Sequence, residues 1–199
     1  MLDFEKRFYS SSVRYVAGCD EAGRGPLAGP MVAASVIFPE TFYDPRIRDS
    51  KKLSEKQREE LFLVIKREAV SYSIIIYDAK RIDDLNVHLA NRLILEEAIN
   101  TLKVKPDLVL VDAMNLTELD VPSIPIIKGD DKALCIAAAS ILAKVTRDRI
   151  MVDLERIYPG FGFREHKGYY CDEHLKALAE FGPIKGVHRF SYKPIKDLK

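Results

Sequence analysis

Adjacent acids at the end of an apolar run are costly unless something binds them. The segment AGCDEAGRGPLAGP, residues 17–30, contains such a pair, Asp20 and Glu21. Two further acids occupy comparable positions: Asp112 closes the run LVLVD, and Asp130 follows IIKG at the start of a helical pattern. In an open α/β sheet, groups at strand ends and neighbouring helix starts converge on one crevice. Four carboxylates there would repel by about 4 kcal/mol for each pair at ~4 Å and an effective dielectric of ~20. A divalent cation removes that cost. Oxygen-only ligands suit Mg²⁺ or Mn²⁺ rather than zinc. Two such ions, about 3.5–4 Å apart, activate a water and stabilise the leaving oxygen in phosphodiester cleavage. Against this stand plainer roles. Asp130 and Asp131 suit a helix start as ordinary caps, and Asp112 suits a turn. The residues by themselves leave both readings open.

One residue after the acid pair come Gly23, Arg24 and Gly25. The turn GRGPLAG lacks the Gly-Lys-Ser/Thr ending of a P-loop. Its glycines instead admit close backbone approach to a ligand, and Arg24 either reads phosphate or is solvated. Other basic groups are local. Lys51 and Lys52 precede a helix start in DSKKLSE. Ser140, Lys144 and Asp148 recur at fourfold spacing on one helical face. REHKGYYCDEH gathers Arg164, His166, Lys167, Tyr169 and Tyr170 around Gly168. Basic groups beside aromatics are what a nucleic-acid groove uses, although each cluster alone also reads as wet surface. His166 reads as a loop histidine and His88 as a structural helix residue, neither belonging to a Cys/His metal set.

These residues need a frame. VRYVAGC, MVAASVIF and SYSIIIY read as strands, the last β-branched and dense. Ser54 with Gln57 forms a capping-box signature for a helix carrying Leu61, Val64 and Ile65. One helical stripe, Ile82, Leu85, Leu89, Leu93 and Ala98, spans residues 81–103. DLVLVDA is a strand ending in Asp112. SIPIIK is a strand in which Pro125 demands a sheet edge. A single long helix runs from residue 131 to Pro159, with Ala137, Ala138, Ala139 and Ala143 allowing close packing. A last helix starts near Asp172 and stops at Gly182-Pro183. After the first hairpin, helices alternate with strands, which implies a mixed sheet with helices on its faces.

The 199 residues are 47% apolar and 31% charged, with a net charge of +1, a globular composition whose basic surface must be local. The three cysteines, Cys19, Cys135 and Cys171, form no zinc or disulfide pattern, which fits a reducing cytoplasm. No apolar run approaches the ~20 residues of a membrane span, and the first residues lack an apolar signal core. One domain, 1–199, is expected, with residues from about 160 onward forming a C-terminal helical extension. No oligomer signal is present, so a monomer is assumed.

Taken together, DEAGRGPLAGP, DSKKLSE, KGDDKALCIAAASILAKVTRD and HKGYY resemble ribonuclease HII, the bacterial type 2 ribonuclease H, in order and over residues 16–192. The resemblance implies a ribonuclease H-like α/β fold, a five-stranded mixed sheet flanked by helices. It implies cleavage of RNA in RNA–DNA hybrids and at single ribonucleotides in duplex DNA, 5′ of the ribonucleotide, leaving 3′-hydroxyl and 5′-phosphate ends. The family's metal acids fall on Asp20, Glu21, Asp112 and Asp130, for two Mg²⁺ or Mn²⁺ ions. Its 2′-hydroxyl reader falls on Gly23, Arg24 and Gly25, and its junction-stacking tyrosine on Tyr169. Lys51, Lys52, Lys144, Lys167 and Arg189 are the candidate phosphate contacts. Tyr170 and Cys171 depart from the family's Pro-Thr, Cys19 stands where an aliphatic is usual, and Ala113 where glycine is common. A non-cleaving nucleic-acid module and another nuclease of the same fold, such as a junction resolvase, are the alternatives.

Overall fold

The computed structural model describes residues 2–116 and 118–198. Five strands form one mixed sheet: β1 (Val16–Ala22), β2 (Met31–Ile37), β3 (Ser71–Tyr77), β4 (Leu108–Asp112) and β5 (Ser123–Ile126), in the order β3-β2-β1-β4-β5. β1 and β2, and β2 and β3, are antiparallel, whereas β1 and β4, and β4 and β5, are parallel. Pro125 lies on the edge strand β5, where its missing N–H costs no ladder bond. The helices are α1 (Leu2–Glu5), α2 (Glu55–Glu68), α3 (Ala79–Leu85), α4 (Val87–Asn100), α5 (Gly129–Lys132), α6 (Leu134–Ile157), α7 (Phe163–His166), α8 (Asp172–Phe181) and α9 (Lys193–Lys196).

The expected boundaries need four corrections. β1 starts later than expected and runs through the acids, because Asp20 and Glu21 pair with Ala34 and Ala33 of β2. The helical stripe over residues 81–103 is two helices. Asn86 breaks it at φ 63° and caps α4 by accepting from the N–H groups of His88 and Leu89, each at 3.1 Å. The long helix is likewise divided: Ala133 is extended between α5 and α6. The alternation of helix and strand also fails once, since β4 and β5 are joined through residues 113–122 with no helix among the described residues. At Ser54 both halves of the expected capping box are present.

Each face of the sheet has its own core. On one, Ala17, Cys19, Val109 and Val111 pack against Ala90, Ile94, Leu95 and Ala98 of α4. On the other, Val32, Ala34 and Val36 meet α2 and the alanine-rich start of α6. Val16, Leu108 and Leu110 continue that face onto Cys135 and Ile136. The helix that lies closest to the sheet is α6. A Cβ on Gly18 would stand 2.2 Å from the carbonyl carbon of Cys135 and 2.3 Å from the backbone nitrogen of Ile136. With only Ala133 at its N-cap, α6 takes a cap from far away: Glu5 Oε2 accepts from the Cys135 N–H at 3.0 Å. The C-terminal helices pack on Leu27, Ala28 and Met151 through Phe161, Phe163, Leu178 and Ile195. Among the described residues no helix is long and apolar enough to cross a membrane.

Because backbone atoms rather than a flexible side chain meet Gly18, Gly18→Ala should cost about 1–3 kcal/mol through overpacking. Urea titration should show a lower midpoint with an unchanged slope.

Candidate active site

Strand geometry decides where the acids go. Successive side chains of β1 point to opposite faces. Asp20 therefore follows Val16 and Gly18 toward α6, while Glu21 follows Ala17 and Cys19 toward α4. The parallel register Cys19↔Val111 sets Asp112, one residue further along β4, beside Asp20 and on the same face as Leu108 and Leu110. Asp130 arrives through a tight turn at Lys128, φ 55°, and Gly129. The Gly129 N–H donates to Asp112 Oδ1 at 2.8 Å. A Cβ on Gly129 would stand 2.6 Å from Ile136 Cδ1, so only glycine fits this turn without displacing that side chain.

One carboxylate oxygen each from Asp20, Asp112 and Asp130 lies within 4.8 Å of the others. Glu21 is not in that group. It lines the same cleft from the other side, within the field of Arg24 and beside Asn91 of α4. The capping role open to Asp130 is not taken, since α5 has no side-chain cap bond. The adjacent acid is also placed: Asp131 pairs with Lys52.

Burial, then the charges of Glu21 and Asp112, hold the Asp20 carboxyl well above the usual carboxylate range. Burial raises Glu21 against the pull of Arg24. Asp130 is raised by burial and by Asp112, opposed by Lys51, whose Nζ lies 3.3 Å from Asp130 Oδ2. The donor set therefore fits Mg²⁺ or Mn²⁺. It offers hard oxygens only, mutually repelling, and backbone N–H groups engage just one oxygen each of Asp20 and Asp112.

A cleft of about 340 Å³ joins Asp20, Glu21 and Asp112 to Gly23, Arg24, Gly25, Lys51, Ser140, Lys144 and Tyr169, and Asp130 adjoins it through Lys51. Tyr169 is 47% exposed, and its Cε1 would lie 3.9 Å from a Cβ on Gly25. Lys144 is half-buried and donates to Asp148 at 2.7 Å, one helical turn on. Lys52 and Lys167 are not among the lining residues. Lys52 is held by Asp131, and Lys167 donates to its own loop at the Arg164 carbonyl.

Arg189 requires a correction. Expected at the phosphate surface, it is fully buried, and its guanidinium is spent on backbone carbonyls. It donates to Gly23 O at 2.6 Å, Arg24 O at 3.0 Å and Gly29 O at 2.9 and 3.1 Å. Arg147, which sequence reasoning passed over, does the same for Pro30 O at 2.9 Å, Ala28 O at 3.1 Å and Lys167 O at 2.9 Å. The two guanidiniums gather the carbonyls of the glycine turn inward and fix its outer surface. Burial, then Arg189's charge, brings Arg147 down to about 10. Gly23, φ 93°, needs glycine twice over, because a Cβ would also lie 2.2 Å from Arg147 Nε. His88 is another miss. It is exposed rather than structural, with Nδ1 3.5 Å from Arg24 Nη2. The Gly-Arg-Gly pattern gave no signal for either partner, since both come from distant segments.

Ala113, directly after Asp112, sits at φ 48°. Ala113→Gly should raise the thermal midpoint by about 2–4 °C for each kcal/mol of relieved left-handed strain, read by calorimetry. Asp20→Asn should stabilise the protein held in chelator. The folded carboxyl is protonated more readily than the unfolded one, so charging it costs stability as pH rises above ~4. The melting-temperature gap between variant and parent should widen from pH 4 toward 8.

The sequence model of the family described as Ribonuclease HII matches residues 17–195. The chain is similar to a ribonuclease HII from Caldanaerobacter subterraneus subsp. tengcongensis, 48% identical over 192 residues, 96% of this chain and 79% of that one. It is also similar to one from Acholeplasma laidlawii, 46% identical over 197 residues, 99% and 96% of the two chains. Among solved structures, the ribonuclease H2 of Pyrococcus horikoshii superposes with a TM-score of 0.80 at 28% identity, covering 92% of this chain and 96% of that one. The ribonuclease HII of Archaeoglobus fulgidus, solved in complex with PCNA, gives 0.73 at 29% identity, with 90% and 95% covered. The sheet and its flanking helices are thus the ribonuclease H-like fold, and the chain belongs to the ribonuclease HII family, a ribonuclease H type endonuclease acting on nucleic acid.

Proposed function

We propose that this endonuclease depends on Mg²⁺ or Mn²⁺ and cuts RNA in RNA–DNA hybrids and at single ribonucleotides embedded in duplex DNA. Cleavage falls 5′ of the ribonucleotide and leaves a 3′-hydroxyl and a 5′-phosphate. The observation that carries this reading is one cleft lined both by Asp20 and Asp112, two members of the three-acid cluster, and by the glycine turn and Tyr169. Chemistry and ribose recognition are then adjacent.

Asp20, Asp112 and Asp130 would hold the ions, with Glu21 supporting them from the opposite face of β1. When bound, such ions lower the pKa of an attacking water and stabilise the departing 3′-oxygen. The chain's own residues do the rest. The turn at Gly23, Arg24 and Gly25 presents backbone close enough to sense a 2′-hydroxyl, the group that separates RNA from DNA. The Tyr169 ring, exposed beside Gly25, stacks on the sugar–base step next to the cut. Lys51 is an ammonium already at the acid cluster, where it would contact a substrate phosphate. Lys144 supplies positive charge at the cleft wall. The three free thiols suit a reducing cytoplasm, and the enzyme is taken to act as a monomer.

The test uses a labelled DNA duplex with one ribonucleotide beside an all-DNA duplex, each with Mg²⁺, Mn²⁺ or chelator. A metal-dependent cut 5′ of the ribonucleotide, with the control intact, is expected. Metal-dependent cutting indifferent to the ribonucleotide would point to a resolvase-like nuclease, and binding without cutting to an inert module. Asp20→Asn should abolish the cut and keep duplex binding. Tyr169→Ala should raise KM by roughly 5- to 100-fold, the worth of one base-stacking contact.

A further inference from the structure

Three histidines pack beneath the Tyr169 loop and take no part in the chemistry above. His174 and His188 are fully buried. His166 stacks on His174 with ring centroids 4.5 Å apart, and Phe163 lies against all three rings at 5.6–6.1 Å. Their hydrogen bonds have a fixed direction, because both ends of the chain are backbone groups whose roles are not in question. The Ile184 N–H donates to His188 Nδ1 at 2.9 Å. A neutral His188 therefore carries its proton on Nε2. That nitrogen faces His174 Nε2 at 3.1 Å, so His174 accepts there. His174 then carries its proton on Nδ1, which lies 2.9 Å from the carbonyl oxygen of Tyr169, an acceptor only. Starting from Tyr169 instead of Ile184 gives the same proton order. A second proton on either ring would set N–H against N–H.

The same loop is pinned at every neighbouring carbonyl. The His166 carbonyl accepts from the Tyr169 N–H at 2.9 Å, and the Lys167 carbonyl accepts from Arg147. The Gly168 carbonyl accepts from the Leu27 N–H at 2.8 Å, just after the glycine turn. His188 itself pairs with Ala28 in an antiparallel bridge. The relay therefore ties the exposed tyrosine to the backbone that carries Gly23, Arg24 and Gly25.

We propose that His188 and His174 form a neutral, single-order imidazole relay that fixes the Tyr169 carbonyl, and that they act as positioning residues for substrate recognition by Tyr169. The proposal rests on the reading of Tyr169 given above. Burial, which favours neutral rings, lowers both histidines, His188 to about 4.

Ring-nitrogen NMR on the full chain, ¹⁵N-labelled at histidine and held at pH 7.5, tests the relay without any activity. His174 should appear protonated on Nδ1 only and His188 on Nε2 only. Protonation of His174 on Nε2, or a charged ring at either position, overturns the proposal. Kinetics on the single-ribonucleotide duplex test the coupling. Losing the bond to the Tyr169 carbonyl in His174→Leu should raise KM by about tenfold, the upper worth of one such hydrogen bond. His174→Asn, which keeps a donor at the δ position, should restore most of that. In a Tyr169→Ala background, His174→Leu should add nothing further, as expected for residues acting as one unit. A full tenfold loss in that background, or no KM change in a folded His174→Leu, overturns the proposal. Should His174→Leu not fold, the ring-nitrogen result alone decides. If Tyr169→Ala by itself leaves KM unchanged, the reading of Tyr169 fails, and the assignment of these histidines as positioning residues falls with it. The tautomers then still decide whether the relay exists as structure.

Discussion

The parallel register of β1 against β4 is the constraint on which the rest of the site depends. It sets Asp20 and Asp112 side by side on one face of the sheet, with no slack to move apart. Once they are there, burial and like charge work against the fold, and every neighbouring feature makes that arrangement tolerable. Gly129 brings in a third acid and donates its own N–H to Asp112. Lys51 leans over Asp130 from a different segment. α6 closes the face behind them only because β1 carries Gly18 at the crossing. A one-residue slip between the two strands would turn Asp112 to the opposite face and remove the reason for the other features.

The glycine turn is organised by a second principle. Backbone that must meet a ligand needs its carbonyls satisfied from within. Arg147 and Arg189 perform that task without a carboxylate partner, each reaching three carbonyls. The positive charge beneath the turn is thus built into the fold, while Arg24 is the exposed cation at its surface. This division explains why a chain with a net charge of only +1 can still favour a polyanion at one place.

Much of this was legible in the sequence, for identifiable reasons. The edge strand followed from one proline, α2 from its capping box, and the acids from their positions at the ends of apolar runs. The segments that misled did so through local overrides of periodicity. Asn86 and Ala133 each interrupt a helical pattern whose apolar spacing continues across the break. Arg189 misled because a cation near basic and aromatic neighbours reads as surface, and burial of an unpaired guanidinium has no sequence signature. Glu21 misled in a simpler way. Adjacency in sequence suggested one shared cluster, whereas a strand sends neighbours to opposite faces, so Glu21 lines the same cleft from the other side. His88 was invisible for a related reason, since its partner Arg24 lies 64 residues away.

The bond from Glu5 to the start of α6 has a practical side. Among the described residues, none before the first strand lines the cleft, and a protein engineer seeking a minimal enzyme would trim there first. The trimmed chain would retain every residue lining the cleft and lose the carboxylate that seats Cys135, six residues after the glycine that brings Asp130 to its neighbours. The amino terminus is thus a poor attachment point for tags or surfaces, and the opposite face of α2, with Leu63 open to solvent, is the safer handle.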